Sequence, residues 1–145
     1  MEIDKAKSLI LKAKKRGERK IILFGGEPTI HPNFFELIKY IKDVGLEFSL
    51  NTISGCFFSK EFTSHLLDFK PVSIKTSLHG HCAELHDYLT QTPGSFGQTV
   101  QGIKNILDYG YESGKIITDT VILKQNMRHL KDIVEFRKHT LSDAV

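Results

Sequence analysis

The chain of 145 residues carries 40% hydrophobic and 26% charged side chains, which suits one globular domain with a sizeable core. A formal net charge of +3 is too slight to require a polyanionic partner, so neither nucleic acid nor a membrane surface is expected. Two cysteines, Cys56 and Cys82, make no disulfide framework, and the first residues lack the apolar core of a signal peptide, so a cytoplasmic location is expected.

Residues 4 to 16 read as an amphipathic helix, with Ile3, Ala6, Leu9, Ile10 and Ala13 on one face, Asp4 as N-cap and Gly17 as stop. Lys20 to Phe24 is an apolar strand that runs into Gly25-Gly26-Glu27-Pro28-Thr29. Two glycines let another group approach bare backbone, and a proline ends the strand. Pro32 opens a second helix with the stripe Phe34, Leu37, Ile38, Ile41 and Val44, closed by Gly45. Glu47 to Ile53 is a second strand, leading to Ser54-Gly55-Cys56. Ser59 caps a short helix that Pro71 ends, and Val72 to Leu78 is a third strand. An excursion from His79 to Gly94 follows. Ser95 and Gln98 have capping-box spacing ahead of a helix with Phe96, Val100, Ile103, Ile106 and Leu107 on its apolar face. Lys115 to Leu123 is a fourth strand, and Leu130, Ile133, Val134 and Phe136 mark a last helix.

Strands alternating with helices and no hairpin turn imply parallel strands joined by right-handed crossovers. The expected fold is α/β: one domain over residues 1–145, a partial (β/α) barrel of about four βα units preceded by a helix. Its chemistry-bearing residues all follow strands: Glu27, then Ser54 and Cys56, then His79 to His86, then Asn126. Such loops gather on one rim, where folds of this kind keep their ligands.

The run Ile-Leu-Phe-Gly-Gly-Glu-Pro-Thr-Ile-His-Pro (22 to 32) resembles the Gly-Gly-Glu-Pro segment of radical S-adenosylmethionine (radical SAM) enzymes. Leu50-Asn51-Thr52 through Gly55, Ser77-Leu78-His79-Gly80, His86-Asp87, Gly94-Ser95-Phe96 and Val121 through Asn126 resemble later segments of that family in the same order. The resemblance implies a site for S-adenosylmethionine at the C-terminal ends of the strands. Gly25, Gly26, Glu27, Pro28 and Thr29 would receive the methionyl ammonium, for which a carboxylate is the natural acceptor. Asn51 or Ser54, and Ser77 or His79, would meet the ribose and the cofactor carboxylate, while Leu123 and Asn126 would lie against adenine. Asn126 is also a plausible N-cap of the last helix. The branch resembled often carries Asp at the place of His79 and an Arg after His86-Asp87, and neither is present.

The family's 4Fe–4S cluster needs three cysteines spaced CxxxCxxC, and the chain has no such motif. The resemblance therefore implies a fragment or degenerate form of a radical SAM core. Its parent enzyme would generate a 5′-deoxyadenosyl radical with a cluster that this chain does not ligate, acting on an unknown small molecule or peptide. The chain alone is expected to be inactive. The alternative is a module without a cluster that binds S-adenosylmethionine or a nucleoside, or only another protein. His79, His81, Cys82 and His86 form a third possibility, a divalent-metal site, but their spacing fits no zinc pattern, so none is expected. A four-stranded sheet leaves two open edges, and self-association through them is expected.

Overall fold

The computed structural model describes residues 1–53 and 55–142. Four strands form one sheet in the order β1 (Lys20–Leu23), β2 (Glu47–Thr52), β3 (Ile74–Ser77), β4 (Ile116–Asp119), all parallel. Helices α1 (Ile3–Lys15), α2 (Phe34–Asp43), α3 (Lys60–Asp68), α4 (Ala83–Thr90), α5 (Ser95–Asp108) and α6 (Leu130–Ser142) complete the α/β partial barrel. Among the described residues, no helix is long and apolar enough to cross a membrane.

The core lies between the sheet and the helices. Leu23, Phe48, Leu50, Ile74 and Ile116 point to Phe34, Ile38, Ile41, Phe57, Leu66, Ile103 and Ile106, all buried. Side chains alternate along a strand, so Ile22, Ser49, Asn51, Lys75, Ser77, Ile117 and Asp119 fall on the opposite face. That face is polar in its middle strands. Ser73 donates to Ser49 across β2 and β3 at 2.9 Å, and Lys75 pairs with Asp119 across β3 and β4 at 3.1 Å. At the β1 side it is apolar, with Ile22 and Phe24 largely exposed.

Several boundaries differ from expectation for identifiable reasons. Asp4 lies inside the first turn of α1; Glu2 occupies the cap position, with no side-chain hydrogen bond. Ile10 and Ala6 are buried but Leu9 is half exposed, because α1 packs on α2, with Lys7 paired to Glu36, and leaves the Leu9 side to solvent. The excursion after β3 contains a helix, α4, that buries His86 instead of an aliphatic stripe. Ser95 is not an N-cap. Gly94 takes that position, and the Asp87 carboxylate caps α5 from outside, accepting from Gly94 N at 2.6 Å, Phe96 N at 2.7 Å and Ser95 Oγ at 3.0 Å. These donors hold the Asp87 carboxyl below its usual range. The Ser59 cap of α3 is present, accepting from Phe62 N at 3.2 Å.

Strand β4 ends four residues earlier than its β-branched run suggests. Beyond Asp119 the backbone bonds leave the ladder. Thr120 Oγ1 donates to Leu78 O, and the carboxamide of Asn126 takes Val121 O and Leu123 N. A side chain that satisfies backbone groups removes the reason to extend the sheet.

Candidate functional site

The loop after β1 turns on two consecutive glycines, Gly25 and Gly26, with φ of +104° and +51°. That left-handed backbone strains any residue with a Cβ. Pro28 then opens a short 3₁₀ turn, Pro28–Ile30. Between them Glu27 is fixed by four donor groups. Its Oε1 accepts from Thr29 N at 3.1 Å, Thr29 Oγ1 at 2.6 Å and Thr52 Oγ1 at 2.9 Å. Its Oε2 accepts from Ile53 N at 2.7 Å and shares the Thr52 hydroxyl at 2.9 Å. The carboxylate thus staples the end of β1 to the end of β2.

Cys56 lies against this staple, its Sγ 4.0 Å from Thr52 Oγ1. Burial, with the Glu27 charge nearby, pushes its thiol up to about 11. Cys56 is therefore a packed, largely desolvated thiol. Cys82, also unpaired, sits at the N-cap position of α4.

Two clefts open at the C-terminal ends of the strands and share Ser77. A narrow one of about 100 Å³ is lined by Phe24, Asn51, Thr52, Lys75, Ser77 and Asp119. A larger one of about 280 Å³ runs between β3, α4 and α5, with Ser77, His79, His86, Thr92, Gln98 and Thr99 on its walls. The structure thus brings Asn51, Ser77 and His79 to one rim with the Gly25-Gly26-Glu27 loop. Ser54 lies outside the described residues.

His79 is the knot of this rim. Its N–H donates to His86 Nδ1 at 3.1 Å, its Nδ1 accepts from Val121 N at 3.3 Å, and its carbonyl accepts from Asn126 Nδ2 at 3.1 Å. Burial lowers its imidazole from the usual range, partly offset by Asp119. Its ring stacks on that of His86, with centroids 5.8 Å apart and planes 18° apart. Gly80 makes this possible, since a Cβ there would sit 2.6 Å from His86 N.

Asn126 is fully buried, and its carboxamide makes three bonds within the chain: from Leu123 N at 2.8 Å, and to Val121 O at 2.9 Å and His79 O at 3.1 Å. It braces the β4 loop against the β3 loop. It precedes the 3₁₀ turn Met127–His129, but its side chain accepts no capping hydrogen bond from that turn. Leu123 and Val121 remain largely exposed beside it.

The sequence reading missed Lys75 and Asp119, a cation and an anion that face the narrow cleft as a pair. The alternation of Ser73, Lys75 and Ser77 on one strand face was the available signal. It needed the register Ser77↔Asp119 to become a pair.

The sequence model of the radical SAM superfamily matches residues 1–137. The chain belongs to that superfamily. It is 30% identical over 137 residues to an AdoMet-dependent heme synthase of Methanosarcina barkeri, covering 93% of this chain and 38% of the relative. To the mycofactocin maturase MftC of Mycobacterium ulcerans it is 34% identical over 110 residues, covering 74% of this chain and 28% of the relative. The solved structure of anSMEcpe with bound AdoMet and a peptide superposes with a TM-score of 0.76 at 18% identity, over 96% of this chain and 40% of the other. That likeness shows the fold. The chain spans less than half the length of each of these radical SAM relatives.

Radical SAM proteins as a family use S-adenosylmethionine and a 4Fe–4S cluster. The residues of this chain do not fit the cluster. There are two cysteines, on different loops, where the cluster needs three spaced CxxxCxxC. They do fit S-adenosylmethionine: a bare glycine backbone, a carboxylate, and a cleft carrying the Lys75 ammonium, shared with Asp119, and several hydroxyls.

Proposed function

We propose that the rim formed by the ends of β1, β2 and β3 binds S-adenosylmethionine, and that this chain serves as the cofactor-binding part of a radical SAM enzyme. The observation that supports this most is the stapled turn, a left-handed glycine pair beside a carboxylate held in place by β2. When bound in this family, the cofactor supplies a sulfonium whose adenosyl group becomes the hydrogen-abstracting radical. No residue described here is assigned to the cluster.

The division of labour among the site residues follows from their hydrogen bonds. Glu27 spends its lone pairs on Thr29, Thr52 and Ile53. It therefore attracts the methionyl ammonium by charge, while the carbonyl groups of Gly25 and Gly26 accept its protons. Pro28 and Thr29 fix the turn. Lys75 supplies the cation that the missing Arg would have provided for the cofactor carboxylate. Asn51 and Ser77 offer hydrogen bonds to the ribose, and Ser54 belongs to the same group by its place in the sequence. His79 and Asn126 shape the adenine end, beside Leu123. The substrate, small molecule or peptide, would enter from the polar face of the sheet. The bare edges of β1 and β4, with Ile22 and Phe24 exposed, favour self-association or cover by further strands.

A second reading, binding without catalysis, draws on the cysteine set alone. Both readings need the same site, and calorimetry tests it. S-adenosylmethionine and S-adenosylhomocysteine should bind one to one, while 5′-methylthioadenosine, which lacks the amino-acid end, should bind at least about tenfold more weakly, the equivalent of one charge-assisted contact. Equal affinities for all three would remove the Gly25-Gly26-Glu27 turn from the binding site.

A further inference from the structure

The loop after β3 and the first turn of α6 converge at a point that the cofactor reading does not use. One ring nitrogen of His81, one of His129 and a carboxylate oxygen of Asp132 all lie within 4.8 Å of one another. His129 Nδ1 and Asp132 Oδ2 are 3.4 Å apart. The rings of His81 and His129 have centroids 5.3 Å apart and planes inclined by 33°.

A surface contact accounts for His129 and Asp132, whose side chains are about half exposed. It leaves His81 unexplained. The Nδ1 of His81 is buried and has no hydrogen-bond partner among the described residues. Buried polar atoms are almost always partnered, by protein, water or ion. The neighbouring histidines are different: His79 and His86 each commit Nδ1 to a backbone N–H. Cys82 makes no part of the group. The local cluster read from the sequence therefore dissolves, and a long-range one replaces it.

From this we infer a binding site for a first-row divalent cation, with His81, His129 and Asp132 as its protein ligands. Two imidazoles and one carboxylate suit Zn²⁺ with a water in the fourth position. Donors bonded to tetrahedral zinc at its usual bond lengths sit about 3.4 Å from one another, which is the His129–Asp132 separation. The His81 donor closes the remaining gap by movement of the two half-exposed side chains. A bound ion would tie the β3 loop to the start of α6, over the rim that His79 and Asn126 already brace. The site needs neither S-adenosylmethionine nor iron, so it stands or falls apart from the cofactor reading.

The test uses the full chain without a histidine tag, with Cys56→Ser and Cys82→Ser to remove competing thiols. Zinc chloride is titrated by calorimetry, and cobalt(II) is followed by its visible absorption. One ion per chain is expected, with the intense bands of tetrahedral cobalt. His129→Gln and Asp132→Asn should each weaken binding more than tenfold while leaving the thermal midpoint in chelator unchanged, since both side chains are half exposed. His81→Gln should abolish the tetrahedral cobalt bands. Absence of stoichiometric binding, or undiminished affinity in the His129→Gln/Asp132→Asn double variant, would overturn the assignment.

Discussion

Glu27→Ala lowers stability by about 2–3 kcal/mol, through the loss of charge-assisted hydrogen bonds from four donor groups. For a chain of this size that corresponds to a fall in thermal midpoint of roughly 6–10 °C. The effect exceeds that of an ordinary surface carboxylate because Glu27 joins two strand ends. Removing it takes the acceptor from the N–H groups of Thr29 and Ile53 and from the Thr29 hydroxyl, and breaks the tie to Thr52. Glu27→Gln is the sharper variant. It keeps the volume but turns one acceptor oxygen into a donor facing Ile53 N or Thr29 N, so it is expected to lose stability as well. Both variants should also lose S-adenosylmethionine binding. Thermal unfolding and calorimetry on the same samples check the two consequences. A Glu27→Ala protein with the parent's midpoint would show that the staple contributes nothing.

Acidification unfolds the chain through His86. This imidazole is 1% exposed, and burial, aided by the nearby His79, holds it at about 4, below its ordinary 6.5. The neutral ring is required, because His86 Nδ1 accepts from His79 N. Between those two pH values the unfolded chain binds a proton that the folded chain does not, so stability rises with pH across the window. It is fully present above about 6.5 and lost as pH falls towards 4. At the lower end the loss reaches about 3 kcal/mol for this one group. His86→Asn retains an acceptor and removes the titration, so its midpoint should be lower at neutral pH but flatter from pH 7 to 4.5. Parallel pH profiles for parent and variant would assign the acid lability elsewhere.

Much of this fold is written in local pattern. The apolar stripes of α2 and α5, the Gly45 stop, the Ser59 cap and the alternation of parallel strands with helices all follow from periodicity and turn chemistry. What fails locally fails for one reason, a side chain from elsewhere deciding the outcome. α4 shows no apolar stripe because its buried residue is a histidine, held by the β3 loop. The cap of α5 comes from Asp87 on the preceding helix, which made the Ser95–Gln98 spacing misleading. β4 stops at Asp119 because Asn126 collects the next backbone groups.

The site divides in the same way. Glu27 and its glycines were legible because a carboxylate between a glycine pair and a proline at a strand end is poorly explained by packing. That its oxygens are committed to Thr29, Thr52 and Ile53 was not, since Thr52 and Ile53 belong to the next strand and its exit. The expectation of an ammonium held directly by the carboxylate accordingly becomes one of charge and backbone carbonyls. The pairing of Lys75 with Asp119, and the meeting of His81 with His129 and Asp132, depend on register and on loop path. Spacing along the chain carries neither.

S-adenosylmethionine binding at the ends of β1 to β3 is tested most directly by the amide chemical shifts of the isotopically labelled chain during titration with that cofactor. The expected result is saturable perturbation of Gly25, Gly26, Asn51, Ile53, Lys75, Ser77 and His79, with the α1 and α2 amides unmoved. Perturbation centred at the opposite end of the sheet, around Glu47, Val72 and Lys115, or no perturbation at saturating cofactor, would contradict it.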